Sequence, residues 1–178
     1  MSFYNLKLRF LGRYINLFEA FLITSMTVIV VIATYSIFSM RYEVSVPRFK
    51  GSCIDVPWNI ALIDRWNRRV HRDDLIVFKS RFMLTRKDGL NVAKYIRAMP
   101  LDDAIVAKNG EVYVNNNLVG SSLYQARLYN REPSYFSREE ILDFDKYWGL
   151  GTSIESVDSR YWGNLDESQI VGHFIPIF

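Results

Sequence analysis

The stretch "VAKNGEVYVNNNLVG", Val106–Gly120, decides the fold class. Val, Tyr and Leu recur at short intervals around two turn signals, Asn109-Gly110 and the run Asn115–Asn117, so the segment reads as a pair of β-hairpins. The cause is steric: tight hairpin turns need positive φ, which Gly and Asn adopt most readily. Working outward, "IALID" (Ile60–Asp64), "DLIVF" (Asp74–Phe78), "AIVAKN" (Ala104–Asn109) and "IVGHFIPIF" (Ile170–Phe178) are short runs of the same β-prone composition. A short helix is expected within "FSREEILDF" (Phe136–Phe144), where Ser137 and Glu140 have the spacing of a capping box. "SSLYQARLYNREPSYFSREE" (Ser121–Glu140), with Arg127, Arg131 and Arg138 among its aromatics, reads as a surface excursion or small cap. Its rings either pack on the sheet or form a membrane-facing or partner-facing patch. No repeat, low-complexity tract or Pro- or Gly-rich linker interrupts the pattern.

The N-terminal part has a different character. "AFLITSMTVIVVIATYSIFSM", Ala20–Met40, is uncharged over about 21 residues. As a helix it spans about 30 Å, the hydrocarbon thickness of a bilayer. It reads as a transmembrane helix rather than a cleaved signal, because the apolar run is long and "FSMRYEV" makes a poor cleavage site. Lys7, Arg9 and Arg13 precede it, whereas Arg41 and Glu43 nearly cancel beyond it. The positive-inside rule therefore puts residues 1–19 in the cytoplasm and 41–178 outside it, with 20–40 in the membrane. The alternative is a buried core helix.

Composition narrows the chemistry. With 178 residues, 49% of them hydrophobic, the chain can bury one ordinary core. Its net charge of +3 is spread among interspersed acids and bases, which gives no argument for nucleic acid. One cysteine excludes an intramolecular disulfide and any cysteine-rich zinc site. Cys53 is a buried hydrophobe or a reactive thiol. His71 and His173 lack a metal-ligand spacing, and no Gly-rich phosphate loop is present, so no cofactor or metal is implied. His71 reads as a solvated turn residue and His173 as part of a terminal strand.

A hydrolase built from this chain would more naturally use a lysine base, which requires burial to favour the neutral amine. In "LNVAKYIRAMP" Lys94 can share one strand face with Val92 and Ile96, whereas Lys79, Lys87 and Lys108 lie near strand ends or turns. The other reading of Lys94 is a rim lysine with a packed stem and a hydrated ammonium.

"HRDDLIVFK" (His71–Lys79), "AKYIRAMPLDD" (Ala93–Asp103), "GEVYVNNNLV" (Gly110–Val119) and "GTSIESVDSRYWGNLDESQIVG" (Gly151–Gly172) together resemble the type I signal peptidase family. The resemblance is to its conjugative-transfer branch, the TraF-like pilin-processing peptidases, and covers most of the chain after the helix. Its most specific piece is Asp158-Ser159-Arg160-Tyr161-Trp162-Gly163 followed by Ile170 and Gly172. Lys94, Pro100 and Asp102 stand on the family's lysine motif, but Ala98 and Leu101 replace two of its glycines, so a different turn is expected there. The resemblance implies a mainly β, signal-peptidase-like domain with short helices behind one transmembrane helix. It also implies a serine–lysine dyad, with Lys94 as base, Ser156 orienting the lysine, and Asp158 with Arg160 as a structural ion pair.

"GSCIDVPW", Gly51–Trp58, should then carry the nucleophile. Asp55, two residues before Pro57, occupies the register of that branch's serine, yet a carboxylate has no proton to give and would favour a charged Lys94. Ser52 or Cys53 can substitute if the loop shifts, and Ser45 in "SVP" has the local spelling without the following strand. Two functions follow from the resemblance. One is an inner-membrane, single-pass endopeptidase, its C-terminal domain periplasmic, that cleaves and in some cases cyclises a pilin precursor. The other is a noncatalytic relative that binds pilin or conjugative pilus assembly proteins through strand edges. A third reading, a membrane-tethered β domain of unrelated function, stays open.

Overall fold

The computed structural model describes residues 7–10, 13–46, 54, 60–81 and 88–177. They fall into two compact units, Met1–Arg41 and Tyr42–Phe178. In the first, β1 (Lys7–Phe10) pairs antiparallel with β2 (Arg13–Asn16), and α1 (Leu17–Arg41) follows. The helix begins three residues ahead of the expected Ala20. Asn16 and Glu19 explain this: the Glu19 N–H donates to Asn16 Oδ1 at 2.8 Å and the Asn16 N–H to Glu19 Oε2 at 3.1 Å, a reciprocal cap. Within the helix the hydroxyls of Thr24, Thr27 and Thr34 each donate to the carbonyl four residues back at 2.8 Å. These hydroxyls are thus satisfied without water, as a lipid environment demands. At 25 residues, with an 18-residue stretch of mean hydropathy 2.2, α1 is long and apolar enough to cross a membrane.

The second unit is antiparallel β. Its strands are β3 (Tyr42–Ser45), β4 (Ala61–Asp64), β5 (Leu75–Lys79), β6 (Asn91–Ala98), β7 (Asp103–Val106), β8 (Val112–Val114) and β9 (Asn117–Gly120), then β10 (Arg138–Ile141), β11 (Lys146–Leu150), β12 (Leu165–Asp166) and β13 (Ile170–Pro176). Among the described residues they form a seven-stranded sheet, β12-β11-β6-β5-β13-β4-β3, and a four-stranded sheet, β10-β7-β8-β9. The larger sheet curls, since Asn91 on β6 donates to Glu43 on β3 at 3.4 Å although three strands separate them in order.

Both hairpins read from Val106–Gly120 form. Gly110 takes φ +87°, and Asn115 and Asn116 take +49° and +64°. The expected helix at Ser137 does not: Arg138–Ile141 is β10, paired with β7. Ser137 instead ends a 3-10 turn over Pro133–Phe136. The edge of β7 offers a ladder of hydrogen bonds, and Phe136 and Leu142 on either side are buried, so tertiary pairing overrides the local cap signal.

One apolar cluster gathers Val106, Val112, Val114, Leu123, Phe136 and Trp148 around the smaller sheet. In the excursion after β9, Tyr129 stacks on Tyr161 at 5.5 Å and Phe136 meets both rings edge-on, whereas Tyr135 faces solvent. Ile76, Phe78, Val92, Ile96 and Tyr147 form a second cluster on the larger sheet. Gly172 lies against the end of the neighbouring strand β4: a Cβ there would lie 2.1 Å from the Asp64 carbonyl oxygen, so any side chain is excluded.

Candidate active site

On β6 the buried positions are Val92, Lys94, Ile96 and Ala98, the period-2 face of a strand. Lys94 has no solvent exposure, which excludes the rim arrangement. Ile76 of β5 is its cross-strand partner. On the other side, a register shift in β11 between Trp148 and Gly149 brings the Gly149 backbone against the lysine stem. A Cβ at 149 would stand 2.9 Å from Lys94 Cβ and 3.5 Å from its Cγ, so the close approach requires glycine.

The loop after β11 supplies the partner. Ser156, itself fully buried, accepts a hydrogen bond from Lys94 Nζ at Oγ, 2.6 Å away. Its N–H donates to the Ser153 carbonyl at 3.0 Å, closing a tight turn. Two residues on, Asp158 caps the short helix α2 (Ser159–Trp162). Its Oδ1 accepts from Arg160 Nε at 2.7 Å and its Oδ2 from Arg160 Nη2 at 2.7 Å and from the Gly151 N–H at 2.9 Å. Arg160 also donates through Nη1 to the carbonyls of Ser121 and Ser122, each at 3.0 Å, and through Nη2 to the Ser156 carbonyl at 3.4 Å. One bidentate pair thereby ties the Ser156 loop to the segment after β9. Burial alone would push the Asp158 carboxyl up. The hydrogen bonds and charge of Arg160, with the Gly151 N–H, outweigh it and hold the carboxyl below its ordinary range. Burial likewise works against the Arg160 cation, and Asp158 more than offsets it.

Arg138 supports the same loop from β10. Its guanidinium lies 4.8 Å over the Trp148 ring and donates to the carbonyls of Ser159 and Arg160. Ser159 Oγ in turn accepts the Gly149 N–H at 2.9 Å.

Ser52, Cys53 and Asp55 lie outside the described residues, as does Pro57. Ser45 ends β3 opposite Ala61. Lys79 and Lys108 are exposed, and Lys87 lies outside the described residues. The histidines are not brought to Lys94. His71 Nδ1 and His173 Nε2 stand 3.3 Å and 3.8 Å from Asp74 Oδ2, and His173 Nε2 donates to the Arg69 carbonyl at 2.7 Å. Leu101, expected to force a different turn, adopts the left-handed conformation (φ +68°) that glycine takes freely. Both carboxylate oxygens of Asp102 accept from Arg72 Nη2, at 3.0 Å and 2.8 Å. Gly149 belongs to the site without having been singled out from sequence, and Arg138 was read only as part of the surface excursion Ser121–Glu140. A glycine inside the apolar strand "KYWGL" is the signal that marks a close backbone approach.

A buried lysine aimed at a buried serine, on a curled antiparallel sheet that follows one apolar helix, is an arrangement suited to proton transfer in a peptidase. The family model described as signal peptidase, peptidase S26, matches residues 14–178, and the chain belongs to that family. Among solved structures it is similar to a signal peptidase I from Enterococcus faecalis V583, with 20% identity and a TM-score of 0.39, over 60% of this chain and 97% of that one. No curated protein sequence matches the chain.

Proposed function

We propose that the chain is a membrane-anchored endopeptidase in which Lys94 is the general base, Ser156 the hydroxyl that aims it, and Asp158 with Arg160 the pair that fixes the loop. The observation that carries this reading is the Lys94 amine, fully buried and 2.6 Å from Ser156 Oγ. Burial disfavours an ammonium relative to the neutral amine, the form a base requires. Ser52 or Cys53 serves as nucleophile. As its oxygen or sulfur bonds to the scissile carbonyl carbon, its proton passes to Lys94 Nζ. The peptide C–N bond then breaks, and Lys94 returns that proton to the leaving amine. Water then attacks the acyl carbon as Lys94 takes its proton, the bond to the nucleophile's oxygen or sulfur breaks, and Lys94 returns the proton to that atom. If an amine of the substrate replaces water, the product is cyclic.

The substrate in this reading is a membrane-proximal pilin precursor of a conjugative system. Support comes from the resemblance at Asp158–Gly163 with Ile170 and Gly172. Helix α1 would cross the inner membrane once, with the N-terminus cytoplasmic and the β unit periplasmic, supported by Lys7, Arg9 and Arg13 ahead of it. Asp55 favours a second reading, a noncatalytic relative that binds pilin or pilus assembly proteins, because it stands in the nucleophile's register.

An acylating active-site probe on the purified chain separates the two. Labelling lost in Lys94→Ala and in either Ser52→Ala or Cys53→Ala establishes the peptidase and its nucleophile. Absence of labelling in every background refutes catalysis and leaves the binding role.

A further inference from the structure

The 3-10 turn Tyr124–Tyr129, in the excursion after β9, has two sides. Tyr124, Arg127 and Leu128 face solvent, whereas Gln125 and Ala126 are buried. A buried glutamine is uncommon, and this one is only 8% exposed. Its backbone N–H donates to the Tyr161 hydroxyl at 3.0 Å, and its side-chain Nε2 donates to the Glu155 carbonyl at 3.1 Å. That carbonyl belongs to the peptide group leading directly into Ser156. Three bonds therefore hold the backbone around Ser156. Gln125 takes the carbonyl before it, the Ser153 carbonyl accepts its N–H at 3.0 Å, and Arg160 Nη2 takes the carbonyl after it at 3.4 Å.

Packing alone does not account for a glutamine at this position. Among the described residues its Oε1 is buried and meets no donor, and an amide oxygen left in that state is destabilising. Turning the amide about would set Oε1 against the Glu155 carbonyl, oxygen to oxygen, so only one orientation serves. A methionine or leucine would fill the same space without an orphaned oxygen. What the glutamine adds is its bond to Glu155, one peptide group away from the hydroxyl that receives Lys94 Nζ at 2.6 Å.

We infer that Gln125 is a positioning residue for the Lys94–Ser156 pair: by holding the Glu155 carbonyl it fixes where Ser156 Oγ sits, and through it where the lysine amine points. The inference rests on the reading of Lys94 as the base. With Gln125 removed, Ser156 keeps its two other anchors and shifts by a fraction of an ångström. A misplacement of about 1 Å costs on the order of a hundredfold in rate, so a loss on the order of tenfold is expected here.

The test treats the full chain, in detergent micelles, with a fluorescent β-lactone whose ring opens on the nucleophile and leaves it acylated. Gln125→Met keeps the length of the side chain and removes the donor, whereas Gln125→Asn keeps the donor and withdraws it by about 1.5 Å. The expected result is a labelling rate lowered on the order of tenfold in both variants, with the labelled fraction at the end point unchanged. The urea midpoint of Gln125→Met should move little, because the lost bond and the removed orphan oxygen offset each other. An unchanged labelling rate in both variants overturns the inference. So does a smaller labelled fraction at an unchanged rate, the mark of a residue needed only for folding. If the unmodified chain takes no label, the endopeptidase reading fails instead. The Lys94 Cε resonance, in a chain grown with isotope-labelled lysine and assigned by its loss in Lys94→Met, then decides the matter for Gln125. A resonance displaced in Gln125→Met supports the positioning role, and an unmoved one refutes it.

Discussion

Replacing Gly149 by alanine tests the site with a single methyl group. The new carbon would stand 2.9 Å from Lys94 Cβ, whereas non-bonded carbons rest at about 3.5–4.0 Å. Lys94 Cβ is fixed to the backbone of β6, so no change of rotamer relieves the overlap. β6 and β11 must therefore separate by on the order of 0.6 Å, and overpacking of this kind costs about 1–3 kcal/mol. The displacement passes to Nζ and lengthens the 2.6 Å bond to Ser156. Misplacement on that scale costs catalysis on the order of a hundredfold. Urea unfolding of the purified chain reads the first quantity and the rate of active-site acylation the second. Gly120→Ala is the control, because its Cβ would meet Leu150 Cδ1 at an ordinary 3.7 Å, and it should change neither. A Gly149→Ala chain with unaltered stability and unaltered labelling would refute the idea that this glycine exists to admit the lysine.

Three other outcomes follow from the same geometry. Lys94→Met keeps the volume of the buried stem and removes the amine bonded to Ser156; it should abolish acylation in a chain that still unfolds cooperatively in urea, and labelling at the unmodified rate would contradict the assignment. Because the folded Asp158 carboxyl is held below its ordinary range, its contribution is complete above the unfolded value and is lost only as pH falls through the lower, folded one. Asp158→Asn should therefore cost about 3 kcal/mol at neutral pH, with the gap from the unmodified chain constant down to about pH 5 and closing below about pH 4 in pH-dependent unfolding; closure near pH 6 would contradict the pairing. Leu101→Gly relieves a left-handed leucine and should raise the melting temperature, by the equivalent of up to about 1 kcal/mol once the added freedom of the unfolded chain is subtracted; a lower melting temperature would show that the leucine contributes contacts of its own.

Much of the fold was legible in residues that constrain their own backbone. Asn109-Gly110 and Asn115-Asn116 announce hairpins because few other residues accept positive φ, and the alternation around Lys94 announces a buried strand face. Ser137 misled because a local cap signal carries no information about the free edge of β7, which lies some thirty residues earlier in the chain. The start of α1 was placed late since Glu19 reads as a break in an apolar run until its exchange with Asn16 is seen. Gly149 was silent because it acts by the volume it lacks, and Arg138 reads as a surface residue until the carbonyls it reaches, more than twenty residues away, are seen.

The strand β3 begins at the very next residue after α1 and closes one side of the curled sheet. Shedding of the β unit by a cut anywhere between Ser45 and Ala61 would strip away that strand and leave β4 as a raw edge, open to pairing with another chain. A soluble fragment that keeps its shape must begin no later than Tyr42. A single peptide bond, Arg41–Tyr42, is thus all the chain that lies between the helix and the first strand of the sheet.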